Sequence, residues 1–137
     1  MPVIVIDSSI ALQWVLPEPG AEQAYRYVKA DGVISPDILL VEAANVLAKK
    51  VRAKDMSGDE SMRALAMVRA GVRELAPSEP LVPRALELSI ALSHPVYDCV
   101  FLACAEQVAG HLATRDAPFV KRASERGFGH LLLDAAP

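Results

Sequence analysis

A three-layer α/β/α domain around a central parallel sheet of about five strands is the fold this sequence predicts, and three observations predict it. Val3-Ile4-Val5-Ile6 is a run of four β-branched apolar residues, the pattern of a strand buried on both faces. Short apolar runs then alternate with stretches of helical periodicity, which implies parallel strands joined by crossover helices. The 137 residues are 53% apolar and 5% aromatic, enough for one domain with a largely aliphatic core. A single domain over residues 1–137 is expected, without internal repeat, linker or low-complexity stretch.

The first strand stops at Asp7. Residues 9–14 read as a short helix that ends in the Leu16-Pro17-Glu18-Pro19-Gly20 loop. Residues 21–30 place Ala24, Tyr25 and Val28 at helical spacing and close at Asp31-Gly32, with glycine past the helix end. Val33-Ile34 is a brief second strand. Ser35-Pro36 then reads as the opening of a helix to about residue 53, with serine as cap and proline first. Ser57-Gly58-Asp59-Glu60 has the spacing of a capping box and starts a helix to about residue 72. Only Lys54 to Met56 separates these two helices, so they should form an antiparallel hairpin. A short strand around Leu75, a helix over 82–92 and the His94-Pro95 interruption follow. Residues 96–109 form the most apolar helix, ended by Gly110. A strand over 112–114, a helix over 118–126 and a fifth strand over 130–133 complete the chain.

Charge narrows the function. With 14 basic and 17 acidic residues the formal charge is -3, which argues against holding nucleic acid by bulk positive charge. It leaves room for acids gathered in a metal site, with bases placed elsewhere. Cys99 and Cys104 are five apart on a helix, face different ways, and suit neither a metal pair nor a disulfide framework. No leader peptide or membrane-spanning stretch is legible, and a soluble, cytoplasmic protein is the expectation.

Four acids occupy telling places. Asp7 and Asp116 each follow a strand directly, and ligands of open α/β sheets bind beyond the carboxyl ends of the strands. Each could also be an ordinary helix cap. Glu42 lies mid-helix with Ile38, Leu39, Asn45 and Val46 as its near neighbours, a mostly apolar face where a lone carboxylate is costly. Asp98 stands in the first turn of the apolar helix, where the helix dipole alone would favour it. A shared cation explains the four together. Carboxylate oxygens are the ligands that Mg²⁺ and Mn²⁺ prefer, and such a site activates water for phosphate chemistry. Ser8 and Ser9 have no evident base partner, the histidines are scattered, and His94 reads as a helix-entry residue. A Gly-rich phosphate loop is missing, so an NTPase is excluded.

With these residues in view the chain resembles the PIN-domain family, in particular the VapC-type toxins of bacterial toxin–antitoxin pairs. Asp7-Ser8-Ser9 leading into Ala11-Leu12-Gln13-Trp14 and Leu16-Pro17-Glu18 is similar to the family's opening. Glu42-Ala43-Ala44-Asn45-Val46-Leu47 resembles its second motif, Tyr97-Asp98-Cys99-Val100-Phe101-Leu102-Ala103 with Ala105-Glu106 its third, and Thr114-Arg115-Asp116 its fourth. Cys99 and Phe101 stand where Ala and Tyr are frequent, and neither departure touches an acid.

The resemblance implies a Mg²⁺- or Mn²⁺-dependent endoribonuclease, the toxin of a type II pair. It would act as a homodimer with a cognate VapB-type antitoxin whose carboxyl-terminal segment lies near the active site. Asp7, Glu42, Asp98 and Asp116 match the catalytic and metal-binding acids, and Asn45, Thr114 and Ser8 the positions that support them. Arg115 beside Asp116 is the candidate phosphate contact. The basic group Lys49, Lys50, Arg52 and Lys54 is accounted for by its place at a helix carboxyl end. Leu65, Val68, Val72, Trp14 and Leu16 are candidate partner contacts for which ordinary core packing is the stronger reading.

The alternative from another class is a PIN-like RNA- or protein-binding module without turnover. A phosphoacceptor receiver would want paired acids after the first strand and a late lysine. Ser8 follows Asp7, and no lysine occurs after Lys121. A haloacid-dehalogenase-type phosphatase would want Asp-x-Asp, and Ser9 takes the second position.

Overall fold

The structure, a computed structural model, describes residues 3–16 and 32–133. The helix expected over 21–30 and the preceding proline-rich loop lie outside the described residues. Strand β1 (Ile4–Ile6) leads into helix α1 (Ser8–Ala11) and a 3₁₀ turn, Leu12–Trp14. After β2 (Val33–Pro36) come α2 (Ile38–Arg52), α3 (Gly58–Gly71) and β3 (Glu74–Ala76). A 3₁₀ turn, Glu79–Leu81, precedes α4 (Val82–Leu92) and α5 (Val96–Gln107). Strand β4 (His111–Ala113), helix α6 (Ala117–Glu125) and a 3₁₀ turn, Gly129–Leu131, close the described chain.

The four strands are parallel in the order β3-β2-β1-β4, the middle layer of a three-layer α/β/α arrangement. In register, Val5 lies between Ile34 of β2 and Leu112 of β4. The chain builds outward from β1 through β2 to β3, then returns to the other side of β1 with β4. The order therefore reverses between β1 and β4, and open α/β sheets bind their ligands beyond the strands' carboxyl ends at such a switch point. Asp7 follows β1 there, and Thr114 to Asp116 follow β4.

The core explains why α5 reads as the most apolar helix. It packs against β1, β2, β4 and α4, and Cys99 through Ala105 are all buried. Phe101, Leu102, Leu88, Leu92 and Phe119 are among the fully buried side chains, each contributing about 1.5–3 kcal/mol of apolar burial. Both cysteines are free and buried, with thiols pushed up to about 11 chiefly by desolvation, so they are inert core groups. Trp14, Leu16, Val68 and Val72 are buried and Leu65 is half-buried, which makes these candidate partner contacts core residues. The exposed apolar side chains include Val82, Leu86 and Ile90, four apart along α4.

Local expectations held at the capping box. Glu60 N–H donates to Ser57 Oγ at 3.0 Å and Ser57 N–H to Glu60 Oε1 at 2.9 Å, and α2 and α3 pack together as expected. Three expectations are corrected. Ser35 and Pro36 do not open α2 but finish β2: Ser35 Oγ donates to Ile6 O at 2.9 Å and Pro36 pairs with Ala76. The first N–H of α2, on Ile38, is capped from a distance by Ser78 Oγ at 3.1 Å, while Ser78 N–H donates to Asp37 Oδ1 at 3.2 Å. Gly110 does not supply the left-handed residue after α5. Ala109 does, at φ 53°, and Gly110 is small because a Cβ there would lie 2.4 Å from Val3 O.

The fifth strand expected over 130–133 does not form a ladder. Residues 130–133 make only an isolated bridge, Leu112 to Leu132, with Leu133 N–H on Leu112 O at 2.8 Å. The donors that would extend a ladder are used in a turn, Leu131 N–H to Phe128 O and Leu132 N–H to Gly129 O. Among the described residues no single helix is long and apolar enough to cross a membrane.

Candidate active site at the switch point

Asp7 caps α1 and stands at the switch point. Its carboxylate is 6% exposed. Oδ1 accepts from Ile10 N–H at 3.2 Å, capping α1, and from Ser9 Oγ at 2.5 Å, while Oδ2 accepts from Thr114 Oγ1. The bonds run on across the switch point. Thr114 Oγ1 accepts from Asp116 N–H at 3.2 Å and Ser9 Oγ from Arg115 N–H at 3.1 Å, so the ends of β1 and β4 are stitched together. Burial raises Asp7 above the usual carboxylate range, the hydrogen bonds from Ser9, Thr114 and Ile10 pull it back, and the charge of Asp98 raises it further.

Glu42 comes in from the second turn of α2, where Ser8 Oγ donates to Oε1 at 3.1 Å. Its carboxyl is raised by desolvation, countered by the Ser8 bond, and raised again by the charges of Asp98 and Asp7. Asp7, Glu42 and Asp98 are thus close enough to repel one another. Asp98, in the first turn of α5, sets Oδ2 at 2.6 Å from His94 Nε2. Asp116 caps α6, accepting from Phe119 N–H at 3.1 Å on Oδ1. Ligand atoms of His94, Asp98 and Asp116 all lie within 4.8 Å of one another.

The four acids read from the sequence therefore converge, and each is fixed by defined bonds. Glu42 Oε2, Asp98 Oδ1 and Asp116 Oδ2 have no hydrogen bond among the described residues, and Asp7 Oδ2 has only Thr114. Neighbouring carboxylates that repel one another and keep oxygens outside the hydrogen-bond network fit a hard divalent cation, which takes oxygen ligands. Of the supporting residues, Ser8 and Thr114 reach acids directly. Asn45 does not: one turn past Glu42, it is exposed and bonds to none of the acids among the described residues. Arg115 is exposed at the same edge.

Two participants escaped the sequence. Ser9 bonds Asp7 through its hydroxyl, and its adjacency in Asp7-Ser8-Ser9 was the available signal. His94, read as a helix-entry residue, also faces Asp98, and its four-residue separation from that acid was the signal.

Fold and site together define a parallel α/β domain with a cluster of fixed acids at its switch point. The chain belongs to the PIN-domain family, whose profile matches residues 4–125. It is 29% identical over 122 residues to Ribonuclease VapC3 of Pyrobaculum aerophilum, covering 87% of this chain and 93% of that protein. The crystal structure of PAE2754 from Pyrobaculum aerophilum shares the fold, with a TM-score of 0.71 at 18% identity, over 88% of this chain and 79% of that one.

Proposed function

We propose that this chain is a Mg²⁺- or Mn²⁺-dependent endoribonuclease, the toxin of a type II toxin–antitoxin pair, acting as one nuclease domain. The convergence of Asp7, Glu42, Asp98 and Asp116 on the switch point carries the reading. Family membership and the likeness to Ribonuclease VapC3 support the choice of RNA as substrate. In this reading Asp7, Glu42 and Asp98 hold the principal cation directly or through water, and Asp116 completes the site or holds a second ion. When bound, the cation lowers the pKa of a coordinated water and offsets charge that develops on the phosphoryl oxygens.

The chain's own residues fix where that happens. Ser9, Thr114 and the α1 amide hold Asp7 and keep its carboxylate from rising further, Ser8 sets Glu42, and the amide of Phe119 sets Asp116. Arg115, exposed beside Asp116, meets a substrate phosphate. A cognate VapB-type antitoxin, a homodimeric state and a cytoplasmic location belong to the same reading.

The test is cleavage of a labelled total-RNA pool by the purified chain with Mg²⁺, Mn²⁺ or EDTA, beside Asp98→Asn. Discrete fragments that vanish with EDTA and in the variant are expected. Cleavage that persists in EDTA or in the folded variant would refute the role of the acids. No cleavage by folded, metal-loaded chain free of antitoxin would favour a binding module without turnover.

A further inference from the structure

His94 is held in place more firmly than a helix-entry residue requires. Ser93 turns the chain at φ 49°, a left-handed conformation that non-glycine residues adopt at some cost, and Arg122 Nη1 ties its carbonyl at 2.6 Å. His94 N–H donates to Ser89 O at 3.1 Å, and Ser89 Oγ donates to His94 O at 2.5 Å. The imidazole, 11% exposed, lies 4.6 Å from the buried ring of Phe119, whose own amide fixes Asp116. Backbone and ring are therefore set by α4 and α6, and together they direct Nε2 toward Asp98, with a ring nitrogen also within 4.8 Å of an Asp116 oxygen.

We propose that His94 is a nitrogen ligand that, with Asp98 and Asp116, forms a mixed nitrogen–oxygen position favouring a first-row transition ion over Mg²⁺. This rests on the reading that the acids hold a divalent cation. Three donors from the α4–α5 turn, the first turn of α5 and the cap of α6 stand within 4.8 Å of one another, the spread of ligands around one ion. Ligation uses the neutral imidazole with its proton on Nδ1, so the Nε2 contact with Asp98 gives way to the ion. Imidazole strengthens binding of transition ions, whereas Mg²⁺ takes oxygen ligands and gains little from nitrogen. What the histidine changes is which ion the chain selects.

Pulsed electron paramagnetic resonance of Mn²⁺ bound to the full chain reads ligation directly and needs no variant. Nitrogen coupling from one imidazole is expected, and it should vanish in His94→Gln. Calorimetry on that variant should show Mn²⁺ affinity down about tenfold or more, with Mg²⁺ affinity held within about threefold. Bound Mn²⁺ without nitrogen coupling, or an equal loss for both ions, would overturn the proposal and leave His94 as a hydrogen-bond partner of Asp98. Tight Mn²⁺ binding retained in Asp98→Asn would instead overturn the cation reading of the whole cluster, and this proposal with it.

Discussion

Replacing Thr114 by valine removes one hydroxyl, keeps the side chain's shape, and tests the network that joins β1 to β4. The hydroxyl donates to Asp7 Oδ2 and accepts from Asp116 N–H at 3.2 Å. A hydrogen bond to an ionised group contributes roughly 1.5–3 kcal/mol, and a neutral one roughly 0.5–1.5 kcal/mol, so the variant should lose about 2–4.5 kcal/mol where Asp7 is ionised. The same bond pulls the Asp7 carboxyl downward, so the variant should hold its proton to still higher pH. A divalent cation needs the ionised form, and its affinity should fall with it. Urea unfolding in EDTA gives the stability, and Mg²⁺ calorimetry gives the affinity. The loss should shrink when Asp7 is protonated, and again in an Asp7→Asn background, because the charged partner is then gone. A change below about 0.5 kcal/mol together with unaltered Mg²⁺ affinity would refute the coupling of Thr114 to Asp7.

Other predictions follow from the same geometry. Asp7→Asn should abolish cleavage and yet make the metal-free chain more stable, since it removes a buried charge that burial and Asp98 disfavour; urea midpoints in EDTA check this. The carboxyls of Asp7 and Glu42 are raised in the folded chain, so it binds their protons more tightly than the unfolded chain does. Metal-free stability should therefore rise as pH falls through their titration, measured as urea midpoint against pH, and saturating Mg²⁺ should flatten the slope. That gain ends where the lowered carboxyls of Glu60 and Glu106 begin to protonate. Gly110→Ala should cost about 1–3 kcal/mol and loosen the β1–β4 pairing, because its Cβ would meet Val3 O at 2.4 Å; hydrogen exchange at His111 and Ala113 reports it. Arg115→Ala should lower the salt slope of RNA binding by about 0.7, and an unchanged slope would remove Arg115 as a phosphate contact.

The parts of this molecule that were legible in the sequence are those whose causes are local. The β-branched run of β1, the capping box at Ser57 and the helix over 82–92 each carry their pattern within a few residues, and each stands where it was read. The acids were legible for a different reason: Glu42 on an apolar helix face has no local excuse, and it points to partners elsewhere. What misled the reading was always non-local. Ser35-Pro36 has the look of a helix start, but pairing with Ala76 and the bond to Ile6 hold both residues in the strand. Gly110 resembles a helix stop, while its smallness answers to Val3, which is distant in sequence. His94 reads as a helix entry because Phe119 and Asp116, which surround it, come from α6 and its cap. Asn45 is the converse, a motif position whose bond to the acids does not form.

Anomalous diffraction at the manganese edge, from crystals of the full chain soaked in Mn²⁺, locates the ion relative to the four acids. A peak is expected at the switch point, within bonding distance of Asp98 and reached directly or through water by Asp7, Glu42 and Asp116. A well-ordered soak with manganese bound elsewhere, and the four carboxylates turned away from any ion, would contradict the cation reading of the cluster.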